Sequence, residues 1–129
     1  VTKKALILIV DDEPGPREAL RFLLRDEYKL LFAENGKGAL ALLGIHRPDL
    51  ILLDIRMPEM DGWDTLREIR QMGITAPVII MTAFPDRFDQ TKARALDVTE
   101  HFIKPFDLFD LQEKIREALC GGPGKEPAS

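Results

Sequence analysis

Polar residues able to handle a phosphoryl group or a divalent cation stand at the ends of four short apolar runs. Asp11 and Asp12 follow ALILIV, Asp54 follows DLILL, Thr82 follows VIIM, and Lys104-Pro105 follows HFI. A short apolar run that stops at a polar group reads as a buried parallel strand ending at a loop. In an open α/β sheet, ligands bind outside the carboxyl ends of the strands. Three carboxylates, a hydroxyl and an ammonium group therefore converge on one rim. Two ionised carboxylates about 4 Å apart repel by about 4 kcal/mol at an effective dielectric of about 20. Three on one rim need a cation, and oxygen donors without His or Cys favour Mg²⁺, which keeps waters and shares phosphate oxygens.

Each residue also has a plainer reading. Asp11 and Asp12 are adjacent, and strand pleating turns neighbouring side chains apart. One then binds a metal directly and the other through water, or either caps the helix that follows. Asp54 is placed to attack phosphorus as a carboxylate nucleophile, giving an acyl phosphate, or is a solvated loop aspartate. Thr82 donates its hydroxyl to a phosphoryl oxygen, or satisfies it on nearby backbone. Lys104 pairs as a point charge with carboxylate or phosphate, or is a surface lysine. Pro105 biases Lys104 toward extended backbone. Singly these signals are weak; in this order, at successive strand ends, they reinforce one another.

The elements that must hold them alternate strand, helix, strand, helix along the chain. The apolar runs predict strands over Ala5–Val10, Lys29–Ala33, Leu50–Leu53, Val78–Met81 and His101–Ile103. Between them, the spacing predicts helices over Pro14–Arg25, from Asn35-Gly36 onward with Ala39, Leu40 and Leu43 inward, and after a cap at Asp61 with Leu66 and Ile69 inward. A fourth runs from about Asp86 to Leu96, and a fifth follows a cap at Asp107 with the stripe Leu108, Leu111, Ile115 and Leu119. Such alternation implies right-handed βαβ units and a parallel sheet covered on both faces. The fourth helix has only Phe88, Ala93, Ala95 and Leu96 as apolar anchors. A buried large side chain contributes roughly 1.5–3 kcal/mol and an alanine much less, so this is the most loosely held element and the one available to move.

Length and composition fit that scheme. The 129 residues suffice for one domain with a full core. We expect it over residues 1–120, with 121–129, GGPGKEPAS, a flexible tail or the start of a linker. No apolar run approaches the ~20 residues of a membrane-crossing helix. The lone Cys120 excludes an internal disulfide and suits a reducing, cytoplasmic setting. A net charge of −4 argues against direct nucleic-acid binding.

The strings ILIVDDEP, PDLILLDIRMPEMDGW, VIIMTA and HFIKPFD together resemble the receiver domain of two-component response regulators over about residues 4–119. The resemblance implies a flavodoxin-like (βα)5 fold, doubly wound with strand order 2-1-3-4-5. A sensor histidine kinase or histidine phosphotransfer protein would pass a phosphoryl group to Asp54. Asp11, Asp12, Asp54 and the backbone carbonyl of Arg56 would hold Mg²⁺, and Thr82 and Lys104 would take the phosphoryl oxygens. The domain would catalyse its own phosphorylation and dephosphorylation rather than act as an enzyme on other substrates. Thr82 and the helix 4/strand 5 face would then switch conformation toward a downstream output protein or a fused domain. Arg56 and Phe84, two residues past Asp54 and Thr82, would tune phosphate lifetime.

Two departures from the family pattern stand out. His101 occupies the switch position that usually holds Tyr or Phe, and Asp97 occupies a helix-ending position where Gly is usual. The string with His101 looks most like the stand-alone phosphorelay intermediate of the sporulation pathway. The alternatives are the front of a larger DNA-binding regulator or a phosphate-independent interaction module, as monomer or phosphorylation-dependent dimer. A phosphatase using Asp54 would want a second acid where Arg56 stands. A nucleotide or flavin domain would want a Gly-rich loop where DDEPGP stands.

Overall fold

The computed structural model describes residues 4–56 and 60–120. The proposed tail at 121–129, the first three residues of the expected domain and part of IRMPEMDG lie outside the described residues. Five strands, β1 (Leu6–Val10), β2 (Lys29–Ala33), β3 (Leu50–Asp54), β4 (Val78–Thr82) and β5 (Glu100–Ile103), form one parallel sheet in the order β2-β1-β3-β4-β5. Every residue of β3 and β4 is buried, as expected for central strands covered on both faces.

Five helices cover the sheet: α1 (Pro14–Leu24), α2 (Gly36–Leu43), α3 (Gly62–Gln71), α4 (Gln90–Ala95) and α5 (Leu108–Leu119). Strand alternation divides the core in two. Leu8, Val10, Ile51 and Leu53 meet Ala39 and Leu43 of α2, Leu66 and Ile69 of α3, and Ala93 of α4. Ile7, Ile9, Leu50 and Leu52 meet Leu20 and Leu24 of α1 and Leu111 and Ile115 of α5. The predicted caps Asp61 and Asp107 form, and Asn35 also caps α2; each accepts a backbone N–H of the first turn that follows. Asp97 takes the left-handed conformation, φ 58°, just past α4.

Several boundaries differ from expectation. Strands β3 and β4 run one residue further, through Asp54 and Thr82, because the ladder continues: Asp54 pairs with Met81 and Thr82 with Ile103. The first residue of β5 is Glu100, not His101. Leu108 is 37% exposed, so it lies at the edge of the α5 stripe.

The expected helix over Asp86–Leu96 is two pieces, a 3-10 turn at Pro85–Arg87 and the short α4. Phe88 is extended between them (φ −80°, ψ 126°), Asp89 caps α4 by accepting from Lys92 N–H, and the indole N–H of Trp63 donates to Arg87 O at 3.0 Å. The break turns Phe88 toward Trp63 and lets a tertiary hydrogen bond replace a helical one.

Gly62 sets how closely α3 approaches the end of β3. A Cβ there would lie 2.4 Å from Ile55 Cα and 2.8 Å from the Asp54 carbonyl oxygen, both backbone atoms. Gly62 N–H also donates to Ile55 O at 2.8 Å. Gly15, in the first turn of α1, has nothing within 4 Å of such a position. Gly62→Ala should therefore destabilise the fold by about 2 kcal/mol or more. Gly15→Ala should stay within about 1 kcal/mol of the parent. Urea unfolding of the two variants tests this; equal midpoints would refute the close approach.

Candidate functional site

The four strand ends meet as the sequence predicts. Asp11 follows β1, Asp54 closes β3, Thr82 closes β4 and Lys104 follows β5. One carboxylate oxygen from each of Asp11, Asp12 and Asp54 lies within 4.8 Å of the other two. Asp11 and Thr82 are fully buried and Asp54 is 5% exposed, whereas Asp12 faces solvent.

Lys104 joins the set through its ammonium group. Nζ lies 2.8 Å from Asp11 Oδ2, 3.2 Å from Asp54 Oδ2 and 3.7 Å from Glu13 Oε1. The Lys104–Pro105 peptide is cis. Backbone N–H groups hold the other carboxylate oxygens: Glu13 donates to Asp11 Oδ1 at 2.9 Å and Arg56 to Asp54 Oδ1 at 3.0 Å. Neither Asp11 nor Asp12 caps α1, because Glu13 stands at its N-cap without a side-chain cap.

Burial pushes the Asp54 carboxyl above the usual carboxylate range, although Arg56 N–H and the Lys104 ammonium pull it down. Burial alone would lower Lys104, but the hydrogen bonds and charges of Asp11 and Asp54 outweigh it and raise its pKa. The two shifts fit one picture: a cation well supplied with carboxylates beside a buried carboxylate whose charge is not fully compensated.

Thr82 and its neighbour form the upper rim. The Thr82 hydroxyl oxygen accepts from Phe84 N–H at 3.0 Å, and the hydroxyl lies 3.4 Å from Phe84 O. Above it, the Arg56 guanidinium stacks over the Phe84 ring, 4.4 Å from its centroid. The side chains two residues past Asp54 and Thr82 thus clasp each other at the mouth.

His101 does not enter this group. Its ring is exposed and stacks on Phe88, with centroids 3.8 Å apart and planes 14° apart, and Phe88 in turn lies 5.9 Å from Trp63. Phe102 turns to the opposite face against Phe106. The sequence reading did not single out Glu13, Arg17 or Trp63. Glu13 extends the DDE run and the run alone could have flagged it. Arg17 donates from Nη1 to Asp11 O at 2.8 Å. Trp63 reaches Phe88 from a separate helix, for which no local signal exists. Beside Lys104, an apolar groove of about 500 Å³ is lined by Pro16, Leu20, Pro105, Phe106 and Leu108.

The family profile described as response regulator receiver domain matches residues 7–116. Sporulation initiation phosphotransferase F of Bacillus subtilis (strain 168) is 37% identical over 114 residues, covering 88% of this chain and 92% of that protein. Regulatory protein AtoC of Escherichia coli (strain K12) is 42% identical over 115 residues, but the match covers only 25% of it. The crystal structure of response regulator protein TrrA from Thermotoga maritima, in complex with Mg(2+)-BeF, is similar with a TM-score of 0.80 at 36% identity, covering 89% of this chain and 99% of that one.

The Lys104 bridge generates a stability prediction. Without added divalent cation, Lys104→Met leaves two buried carboxylates facing each other and should cost roughly 3 kcal/mol. Asp54→Asn should instead raise the melting temperature. The sign follows from the raised pKa: with a folded value above the unfolded one, Asp54 favours the fold more as pH falls through the folded value, and levels off below the unfolded value. The amide supplies that neutral form at pH 7. Thermal melts in EDTA check both, and a lower melting temperature for Asp54→Asn would contradict the assignment.

Proposed function

This chain belongs to the response regulator receiver domain family, and from that premise we propose that Asp54 accepts a phosphoryl group from a phosphohistidine. The observation that carries this reading is the shared ammonium of Lys104 between Asp11 and Asp54, at the mouth where Thr82 also ends its strand. An Asp54 oxygen attacks phosphorus in line, the P–N bond breaks, and the donor histidine leaves as imidazole. An acyl phosphate remains. Water later attacks phosphorus, the Asp54–phosphorus bond breaks, and inorganic phosphate is released.

Phosphoryl transfer of this kind depends mostly on positioning and charge stabilisation. Asp11, Asp12 and Asp54 suit Mg²⁺, because their donors are all oxygen and converge within one ion's reach. We assign the ion to these residues with the Arg56 carbonyl; when bound it neutralises charge on the transferred group. Lys104 neutralises one phosphoryl oxygen and Thr82 donates its hydroxyl to another. Thr82 then exchanges its contact with Phe84, which links the site to the segment leading into α4. His101, pinned on Phe88, marks the outer end of that segment. This is the switch face we assign.

The phosphodonor is a sensor histidine kinase or a histidine phosphotransfer protein, and the apolar groove beside Lys104 gives it a surface next to the reacting atoms. Two output arrangements are compatible with this chemistry, a protein-to-protein relay and a receiver fused to further domains; sporulation initiation phosphotransferase F and regulatory protein AtoC are both similar to this chain. Among the described residues no helix is long and apolar enough to cross a membrane.

Intact mass after incubation with acetyl phosphate tests the assignment. One phosphoryl group should be gained by the parent protein with Mg²⁺, and none by Asp54→Ala or in EDTA. Equal labelling of Asp54→Ala would sink it.

Phosphate lifetime supplies the next test. The Arg56–Phe84 clasp joins the positions two residues past Asp54 and Thr82, so Arg56→Ala and Phe84→Ala should each change the dephosphorylation rate by a few-fold. The double variant should show less than the sum of the two, because either substitution already opens the clasp. Unchanged rates, or strict additivity, would rule the clasp out.

A further inference from the structure

The end of the sheet opposite Asp54 carries a second feature, which the phosphoryl site does not use. An open groove of about 660 Å³ there is lined by Lys4, Lys29, Arg47, Asp49, Pro77 and Leu119, among others. Its cations come from separate chain segments: Lys4 precedes β1, Lys29 opens β2 and Arg47 lies between α2 and β3. The neighbouring order β2-β1-β3 brings the three together.

None of the three is held in a close ion pair. Among the described residues, no carboxylate lies within 4.0 Å of the charged nitrogens of Lys4, Lys29 or Arg47. Asp49, the acidic residue of the lining, spends one oxygen on Leu6 N–H at 2.8 Å. Arg47 is oriented by carbonyls, donating from Nη1 to Leu43 O and His46 O, which fixes its guanidinium without neutralising it. Three cations against one carboxylate stand out in a chain whose net charge is −4. Pro77 and Leu119 add apolar wall to the same groove.

We propose that this groove binds a small phosphate-bearing ligand of the nucleotide class, its phosphates on Lys4, Lys29 and Arg47 and its ring against Pro77 and Leu119. Lysine serves as a point charge for phosphate and arginine as a planar fork. The apolar wall favours an organic phosphate over inorganic phosphate. The site lies a full strand length, roughly 17 Å, from the acidic rim, and it does not depend on phosphorylation of Asp54.

Calorimetric titration of the full chain with ATP, pyrophosphate and adenosine, in EDTA, tests the proposal, with amide shifts locating the ligand. ATP should bind more tightly than either fragment, move the amides of Leu6, Lys29 and Leu50, and weaken as salt rises. Lys4→Ala/Lys29→Ala should weaken ATP by about tenfold. Both lysines are exposed, so the variant should keep its circular dichroism spectrum and its labelling by acetyl phosphate. Asp54→Ala should bind ATP like the parent. Pyrophosphate bound as tightly as ATP would overturn the nucleotide assignment. No binding at millimolar ATP, undiminished binding by the double variant, or shifts confined to Asp11, Asp54 and Thr82 would overturn the site itself.

Discussion

Lys104 holds two buried carboxylates together, and the rest of the molecule is arranged so that it can. Asp11 is fully buried and Asp54 nearly so, and neither could be left ionised at that depth without a partner. The partner arrives 93 residues after Asp11 and 50 after Asp54. It can reach them only when β5 is docked on β4, β4 on β3, and β3 on β1. The site is therefore assembled by the sheet as a whole rather than by a local motif. The backbone keeps the geometry: Lys104 N–H donates to Thr82 O at 2.7 Å, and Asp11 N–H donates to Ala33 O at 3.1 Å. Each polar residue is fixed by a ladder-like hydrogen bond at the point where its strand ends.

That dependence explains which features were legible in the sequence. Buried parallel strands are continuous apolar runs, so their positions and the polar residues after them could be read directly. Side-chain caps are local, and Asp61 and Asp107 cap as their spacing indicates. The strand order came through likeness to a family, since periodicity does not give it. What could not be read was set by contacts between distant segments. The break in the fourth helix depends on the Trp63 indole reaching Arg87 O, 24 residues away. The outward position of His101 depends on Phe88, which is free to meet it only because that break leaves Phe88 extended.

The segment from Ala83 to Asp89 is held differently from the rest. It is tied by the Thr82 hydroxyl to Phe84, by Arg56 over Phe84, and by Phe88 between Trp63 and His101. Beyond it, the end of α4 is fixed by Arg70, whose guanidinium donates to Leu96 O, Asp97 O, Ile74 O and Ala76 O. Burial lowers the pKa of Arg70 and the charge of Asp97 opposes that, yet the guanidinium stays a cation at any ordinary pH. The anchoring is thus uneven. The chain past α4 is clamped by a multiply bonded arginine, whereas the segment itself is held by neutral hydrogen bonds, Phe84 N–H to the Thr82 hydroxyl and the Trp63 indole to Arg87 O, and by ring contacts.

The uneven anchoring sets how a phosphoryl group on Asp54 would act at a distance. A neutral hydrogen bond contributes about 0.5–1.5 kcal/mol net, and a bond to a charged group about 1.5–3 kcal/mol. Thr82 therefore favours a phosphoryl oxygen over Phe84 by about 1 kcal/mol. Reversing a 1:99 population takes about 5.5 kcal/mol of differential interaction, so the hydroxyl alone cannot throw the switch. The remainder would have to come from charge, through Lys104 and through a cation that Asp11 and Asp12 would hold, acting more strongly in one arrangement of the segment than in the other. Lys104 is suited to this because it is bonded through its backbone to Thr82 and through its ammonium to Asp54. A phosphoryl group that drew the ammonium away from Asp11 would pull on the same strand end that carries the Thr82 carbonyl, so the charge and the hydroxyl would shift together rather than as two independent events.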